Sequence, residues 1–213
     1  MMNENMAERN RKLSEVVIKG LKSRGMEGYY AETKEDALHQ ALQLIPEGAK
    51  IGWGGSFSVE EIGLKQKIKE GNYEWRDRDG AKTPEEKREA ELFGYGSDWY
   101  LCSSNAVTED GILVNIDGSG NRVSAMASGP LHVLFVVGMN KIVKDVDAAV
   151  YRARNVAAPA NTQRFPIQTP CKVNGACANC KSPTSICCSV LITRFCRVPG
   201  RMHVILVNED LGF

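Results

Sequence analysis

The sequence predicts an α/β fold in which an open, mostly parallel sheet carries helices on both faces. Apolar, β-branched segments of strand length alternate with amphipathic segments of helix length along most of the chain. The segment 132–137 is apolar at every position after His132, which is typical of a strand buried on both faces in the middle of such a sheet. The segments are too short for a barrel of eight repeats, so we expect the sheet to be open.

Local patterns predict the individual elements. Residues 3–24 are polar apart from one apolar stripe and are followed by Gly25, which predicts an amphipathic N-terminal helix. Thr83 at the N-cap, Pro84 at the first helical position and Glu86 three residues after the cap predict a helix that continues to about Phe93. Further helices are predicted over 33–44, 58–69 and 145–157, the last ended by Pro159, and strands over 29–31, 50–53, 73–76, 100–103, 112–116, 132–137 and 203–207.

We expect one domain over residues 1–213, because a chain of this length with 43% hydrophobic residues can bury a full core. Residues 161–199 interrupt the alternation of strands and helices with four prolines, a group of cysteines and little periodicity. We expect this segment to be an irregular, Cys-rich insertion. A long irregular loop inside a compact domain is usually functional, which makes the insertion one candidate site.

Charge and hydropathy argue against two classes of partner. A formal net charge of +1 gives no electrostatic reason to expect nucleic acid binding. No apolar run approaches the ~20 residues of a membrane span, so we expect no membrane partner. Residues 1–24 lack the apolar run that export requires, so we expect a cytoplasmic protein with reduced thiols. A homodimer is expected only because symmetric dimers are the commonest oligomers.

Five of the seven cysteines lie within the eighteen residues from Cys171 to Cys188. Their spacing is Cys-x5-Cys-x2-Cys-x6-Cys-Cys, and its Cys-x2-Cys pair is typical of zinc knuckles and iron–sulfur loops. Disulfides are the weaker interpretation in a reduced compartment. The spacing matches no standard zinc or ferredoxin template, so an iron–sulfur cluster, a zinc ion and a loop of free cysteines remain open. The candidate metal ligands are Cys171, Cys177, Cys180 and Cys187.

A glycine-rich loop follows the predicted strand 50–53 and precedes the predicted helix 58–69. In parallel α/β sheets, ligands bind where the carboxyl ends of strands meet the amino ends of helices. Small residues there let backbone N–H groups approach a phosphate or carboxylate. The loop does not match the dinucleotide-binding pattern G-x-G-x-x-G, because Phe57 occupies the place of the third glycine. A tight turn that needs positive φ is the alternative. The candidate ligand-binding residues are Gly52, Gly54, Gly55 and Ser56.

A second polar region surrounds the predicted strand 112–116. Asp110-Gly111 and Asp117-Gly118 are turn dipeptides, so a hairpin explains part of the pattern. Carboxylates near a fixed arginine can transfer protons or orient an anionic substrate, which makes Glu109, Asp110 and Asp117 candidate catalytic residues. Solvated loop residues are the alternative for any one of them. The polar residues of the region exceed what two turns need: Asn105, Thr108, Glu109, Asp110, Asn115, Asp117, Asn121 and Arg122.

Several motifs, taken in order, resemble those of the LUD-domain proteins, a family named for lactate utilisation. The resemblance runs from about Arg11 to Phe213. It implies a fold like that of coenzyme A transferases and ribose-5-phosphate isomerase, with a glycine-rich loop and an acidic Asp-Gly loop on either side of the ligand site. It adds Gly118, Gly120 and Lys141 to the candidate ligand-binding residues. The motifs are Gly52-Trp53-Gly54-Gly55-Ser56 with Glu61-Ile62-Gly63, and residues 104–111, 114–118, 120–123, 138–143, 155–159 and 207–213.

The resemblance implies a connection with bacterial systems that oxidise L-lactate to pyruvate, in which partner subunits carry iron–sulfur clusters. Three hypotheses follow. The first is an accessory or ligand-binding subunit of a lactate or organic-acid oxidation system, which binds a small anionic ligand at residues 52–56 and 108–122 and has weak activity alone. The second is an enzyme of the coenzyme A transferase or sugar-phosphate isomerase type that uses Glu109, Asp110 or Asp117 as a base. The third is an iron–sulfur or zinc-binding redox protein, because the cysteines resemble those of an insertion in some stand-alone members.

Overall fold

The computed structural model describes residues 3–213, which form one large parallel sheet and one smaller mixed sheet. The large sheet has six strands in the order β1-β10-β7-β4-β2-β3, and every neighbouring pair is parallel. The small sheet has the order β8-β5-β6-β9. The strands are β1 (Glu27–Ala31), β2 (Lys50–Trp53), β3 (Glu74–Trp75), β4 (Trp99–Cys102), β5 (Ala106–Thr108), β6 (Leu113–Asp117), β7 (His132–Gly138), β8 (Ile142–Val143), β9 (Ser189–Thr193) and β10 (Met202–Val207).

Nine α-helices connect these strands in the described residues 3–213. A short 3-10 turn over Met139–Lys141 follows β7, and a π-helical turn over Ala153–Ala157 joins two of the α-helices. The helices are α1 (Glu4–Ser23), α2 (Lys34–Leu44), α3 (Phe57–Glu61), α4 (Leu64–Glu70), α5 (Pro84–Tyr95), α6 (Asn121–Ala127), α7 (Val146–Arg152), α8 (Ala158–Thr162) and α9 (Pro170–Asn174). Within the described residues, none of these helices is long and apolar enough to cross a membrane.

The central strand β7 shows why the large sheet carries helices on both faces. Its side chains alternate, so Val133 and Phe135 join a hydrophobic cluster on one face while Leu134 and Val136 join a second cluster on the other. Helices α1 and α6 contribute to the first cluster, and α2 and α4 contribute to the second. Each fully buried large aliphatic or aromatic side chain contributes ~1.5–3 kcal/mol of transfer free energy. The predicted open, mostly parallel α/β fold is therefore confirmed.

Two predicted helices differ from the structure. The helix predicted over 58–69 is divided into α3 and α4 by Gly63, which has a left-handed conformation with φ of 74°. The prediction that Pro159 ends the helix starting near residue 145 was wrong, because the chain continues through the π-helical turn into α8. Pro159 lies in the first turn of α8, where a helix tolerates a residue without a backbone N–H.

The small sheet contains the hairpin that the sequence predicted and two strands, β8 and β9, that it did not. Strands β5 and β6 are antiparallel around the Asp110-Gly111 turn. Strand β9 pairs with β6 and lies inside the segment expected to be irregular, which also contains α9. A Cβ on Gly20 of α1 would lie 2.5 Å from the carbonyl carbon of Asp110, so the hairpin turn packs directly against α1. This contact directs the turn away from the carboxyl edge of the large sheet.

Candidate anion-binding cleft

A cleft of about 340 Å³ lies at the carboxyl ends of the parallel strands. Ser56 follows β2, Ser103 follows β4 and Lys141 follows β7, so three loops that are distant in sequence meet at one edge of the large sheet. Gly212 follows β10 and reaches the same cleft. The opposite wall comes from the end of β6, the first residues of α6, the π-helical turn, α8 and, beyond α8, the Cys-rich segment, which contributes Arg164, Phe165, Ser185 and Ile186.

Lys141 is the buried cation of this cleft, and only 3% of its surface is exposed. Its Nζ donates to Ser58 Oγ at 2.9 Å and to Ser103 Oγ at 3.1 Å. Within residues 3–213 no carboxylate forms an ion pair with it. Burial lowers the pKa of Lys141 to about 7, and the positive charges of Arg152 and Arg122 contribute to that shift. Near neutral pH this amine therefore exists in both protonation states.

Arg122 is held by acceptors from both sheets. Its guanidinium donates to the carbonyl oxygens of Ser103 at 3.2 Å and Ile116 at 2.6 Å. It also donates to the side-chain oxygens of Asn115 at 3.1 Å and Asn105 at 3.3 Å. Because a guanidinium has five N–H groups, these four bonds leave little capacity for a ligand. Arg122 therefore supplies fixed positive charge and structure more than direct hydrogen bonds.

Asp117 lies at the end of β6 and lines the cleft, and 7% of it is exposed. Its Oδ1 accepts from the backbone N–H groups of Ser119 and Gly120 at 3.0 and 2.9 Å, while Oδ2 lies 3.5 Å from Nε of Arg122. Gly120 has a φ of 78°, which allows the chain to turn into α6. The carboxylate thus fixes the turn between β6 and α6 and partly balances Arg122.

Cationic side chains outnumber carboxylates in the cleft. Three cations besides Lys141 and Arg122 line it, and Asp117 is the one acidic residue in the lining of the described structure. Arg164 stacks on Phe57, with its guanidinium carbon 4.1 Å from the ring centre. The Nε of Arg78 is buried without a hydrogen-bond partner within residues 3–213. The cationic residues of the lining are Arg78, Lys87, Arg122, Lys141 and Arg164.

The glycine-rich loop contributes to the cleft in two different ways. Gly55 and Ser56 line the cleft directly. Gly54 makes room for Arg122, because a Cβ there would lie 3.0 Å from Cγ and Cδ of that arginine. Gly52 serves packing instead, since a Cβ there would lie 2.4 Å from Cα of Gly94 in α5. The predicted loop is therefore at the site, although only part of it faces a ligand.

The structure does not bring all the predicted acid residues to the cleft. Glu109 and Asp110 lie in the β5–β6 turn outside the cleft lining. Glu109 pairs with Lys144, and Asp110 accepts from Arg24 and from the Thr108 hydroxyl. The Thr108 bond is the main cause, and the Arg24 contact a further one, of a lowered pKa for Asp110. Thr108, Glu109 and Asp110 therefore stabilise the β5–β6 turn and its contacts with Arg24 and Lys144.

The remaining predicted ligand-binding residues lie in or beside the cleft. Asn105, Gly118 and Asn121 line it. Asn115 is fully buried behind Arg122 and accepts from it. A Cβ on Gly118 would lie 3.1 Å from Cα of Ile186, so this glycine allows the Cys-rich segment to approach.

The cysteines of the insertion are close enough to interact electrostatically. Partial desolvation of the thiol, with the neighbouring thiols at positions 171, 177, 180 and 188, raises the pKa of Cys187 to about 11. Thr169 and Thr162 hydroxyls lie 3.4 and 3.7 Å from the sulfur of Cys171. In the described residues, however, no three His, Cys, Asp or Glu side chains converge as metal ligands. As positioned, the predicted ligand set does not fit a metal.

Sequence reasoning missed several residues of the cleft. Ser58 and Ser103 were not singled out, although Ser103-Ser104 directly follows a buried strand, which is where ligand sites form in parallel sheets. Arg78, Lys87 and Arg164 carry no local sequence signal, because each lies in a different segment and reaches the cleft only through the tertiary fold.

Comparisons with known proteins give a family and a fold. A sequence model described as the LUD domain matches residues 14–207. The structure is similar to the crystal structure of a DUF162 family protein from Deinococcus radiodurans, with a TM-score of 0.54 and 10% sequence identity over 93% of this chain and 98% of that chain. At this identity the similarity shows the fold alone. No curated protein sequence matches the chain significantly.

Replacing Lys141 with methionine is expected to stabilise the protein at neutral pH. The unfolded chain binds a proton at its ordinary lysine pKa of 10.5, whereas the folded chain binds it only near pH 7. The native protein therefore loses stability as the pH falls from 10.5 to about 7, and this contribution is constant at lower pH. The stability advantage of Lys141→Met over the native protein grows across the same pH range. We expect the free energy of unfolding of Lys141→Met to exceed that of the native protein by about 1–3 kcal/mol at pH 7, after the loss of the two hydrogen bonds to serine is subtracted.

Urea unfolding between pH 6.5 and 10 measures this difference. Lys144→Met is the matched control, because Lys144 is an exposed lysine three residues away. Its effect should stay within about 0.5 kcal/mol. A Lys141→Met variant that is less stable than the native protein at pH 7 would contradict the described burial of the amine.

Proposed function

Because this chain belongs to the LUD domain family, we propose that it is a ligand-binding subunit that holds a small anionic organic acid in the cleft at the carboxyl ends of β2, β4 and β7. One observation carries the proposal. The cleft contains a lysine that is nine-tenths buried, donates to two hydroxyls, and shares the described lining with four further cations and one carboxylate; Glu61 opposes the cations as the smallest of the influences on its pKa.

An anionic ligand would relieve the electrostatic cost of this arrangement. Two unit charges about 4 Å apart attract by ~4 kcal/mol at an effective dielectric constant of 20. A carboxylate beside Lys141 would therefore favour the protonated amine and raise its pKa above the value of about 7 in the empty cleft. The cleft volume of about 340 Å³ is at the small end of ligand pockets, which suits a small organic acid.

The family connection with lactate utilisation supports an organic acid as the ligand class and an oxidation system as the setting. We place the electron-transfer chemistry on iron–sulfur subunits that would associate with this protein. On that basis the isolated chain binds its ligand but turns it over weakly.

An enzyme of the coenzyme A transferase or sugar-phosphate isomerase type is a second candidate, and the position of Asp117 favours it. Of the three carboxylates that the sequence suggested, Asp117 lies in the cleft. Conversion of a sugar phosphate or an acyl-coenzyme A by the pure protein, lost in Asp117→Asn, would favour this function over simple binding.

A cysteine-based redox site is a third candidate, supported by the proximity of the five thiols around Cys187. The segment would have to rearrange to bind a cluster, since the described side chains do not converge as ligands. Metal and acid-labile sulfide analysis of protein purified without oxygen tests it. About four iron and four sulfide per chain would support a cubane cluster, and zinc alone would indicate a structural clip. Metal-free protein would eliminate the candidate.

Calorimetric titration with L-lactate tests the binding proposal. We expect binding at pH 6 and about tenfold weaker binding at pH 8, because the fraction of protonated Lys141 falls by about that factor across a pKa of about 7. Lys141→Met should weaken binding at pH 6 at least ~10-fold, equivalent to ~1.4 kcal/mol.

Lys144→Met is again the control and should bind like the native protein, since Lys144 does not line the cleft. The same titration with D-ribose 5-phosphate and acetyl-coenzyme A separates the ligand classes. Equal L-lactate binding by native protein and Lys141→Met, or no binding of any of these anions, would refute the proposed cleft.

A further inference from the structure

The amine of Lys141 is arranged differently from an ordinary ion-paired lysine. Buried lysines are normally paired with a carboxylate, because an unpaired buried charge is costly. Here Nζ contacts two hydroxyls, Ser58 Oγ and Ser103 Oγ, and forms no ion pair within residues 3–213. The two serine hydroxyls can therefore accommodate an uncharged amine, which is the nucleophilic form of lysine.

The space next to this amine is kept open by glycine. Gly212 has a positive φ of 52°, and a Cβ there would lie 3.4 Å from Nζ of Lys141 and 3.0 Å from Ser58 Oγ. Any larger residue at this position would crowd the amine and its hydroxyl partner. Lys141 and Gly212 both line the cleft, so a molecule bound there would lie beside this amine.

We propose that Lys141 is a nucleophile that forms an imine with the carbonyl carbon of a 2-oxo carboxylate bound in the cleft. The inference rests on the proposed function, because it requires a small organic acid in the cleft, and it deepens that function by naming the ligand class and the bond formed. The carboxylate would face Lys87 and Arg164 of the lining, for which no carboxylate partner is found within residues 3–213, whereas Arg78 pairs with Asp79 and Glu91.

The chemical step balances without a further reactant. The lone pair of the neutral amine forms the N–C bond while the carbonyl π-bond breaks, and the oxygen takes up a proton to give a carbinolamine. The nitrogen gives up its protons in stages and the hydroxyl leaves as water, so the net reaction is amine plus ketone to imine plus water. The Ser58 and Ser103 hydroxyls, at 2.9 and 3.1 Å from Nζ, are placed to relay a proton: the hydroxyl takes one from the nitrogen while it gives its own to the departing oxygen.

The protonation state of the amine supports this step. In the empty cleft, burial and the charges of Arg152 and Arg122 outweigh the opposing charge of Glu61 and lower the pKa of Lys141 to about 7, so a large share of the amine is neutral at physiological pH. Desolvation and neighbouring cations activate lysine nucleophiles in the same way in enzymes that form imines. An exposed lysine such as Lys144, which pairs with Glu109, lacks this activation.

Borohydride trapping tests the proposal. The full-length protein is incubated with pyruvate at pH 7, reduced with sodium borohydride and digested for peptide mass spectrometry. We expect one reduced pyruvate adduct per chain on Lys141, at least tenfold less total adduct in Lys141→Met, and native levels in Lys144→Met. L-lactate, which has no carbonyl carbon for the amine to attack, should give no adduct.

Two results would overturn the imine. The first is an adduct spread over surface lysines with no preference for Lys141. The second is pyruvate binding, measured by calorimetry and dependent on Lys141, without any trapped adduct, which would leave the anion-binding proposal standing. Absence of both binding and trapping would instead overturn the two proposals together. Circular dichroism of Lys141→Met verifies that loss of the adduct does not reflect loss of the fold.

Discussion

The guanidinium of Arg122 joins the two sheets of the protein, and the cleft depends on that junction. It bonds to the Ser103 carbonyl at the end of β4 and to the Ile116 carbonyl in β6, with Asn105 and Asn115 as side-chain acceptors. A hydrogen bond to a charged donor contributes ~1.5–3 kcal/mol, so the four together strongly fix the relative position of the sheets. The same interaction places a permanent positive charge beside Lys141, whose pKa it lowers.

Positive charge beside a buried lysine has a cost in stability and a use in function. A buried lysine with a purely structural role is normally paired with a carboxylate, whereas a lysine in a functional site often keeps the unfavourable charge. In this protein the carboxyl ends of β2, β4 and β7 bring Ser58, Ser103 and Lys141 together at one edge of the sheet, and the charges of Arg152 and Arg122 act on the buried amine there. In the proposed function, an anion bound beside Lys141 would relieve the unfavourable charge; in the proposed imine, the carboxylate would instead face other cations of the lining and leave the amine neutral. The Cys-rich segment contributes Ser185 and Ile186 to the opposite wall of the cleft, and none of its thiols is among the lining residues of the described structure.

The local chemistry of the chain was enough to predict the large parallel sheet and to single out a glycine-rich loop that lies at the candidate cleft. The apolar run of β7, the Thr83–Glu86 helix start and the strand–glycine loop–helix order at Gly52–Ser56 are signals carried by neighbouring residues. The direction of the β5–β6 hairpin was not predictable in that way, because it depends on contact between Gly20 and Asp110, ninety residues apart. Asp110 and Glu109 accompany this turn and lie outside the lining of the cleft. The meeting of Ser58, Ser103 and Lys141 is likewise a product of tertiary structure, and no spacing in the sequence encodes it.

Trace labelling of lysines with acetic anhydride, quantified by peptide mass spectrometry between pH 6 and 10, tests the central claim most directly. Only a neutral amine reacts, so the pH at half-maximal labelling reports the pKa of each lysine. The account predicts a midpoint near 7 for Lys141 and protection of Lys141, but not of Lys144, when L-lactate is added at pH 7. A midpoint for Lys141 near the ordinary lysine value of 10.5, with no protection by the ligand, would contradict it.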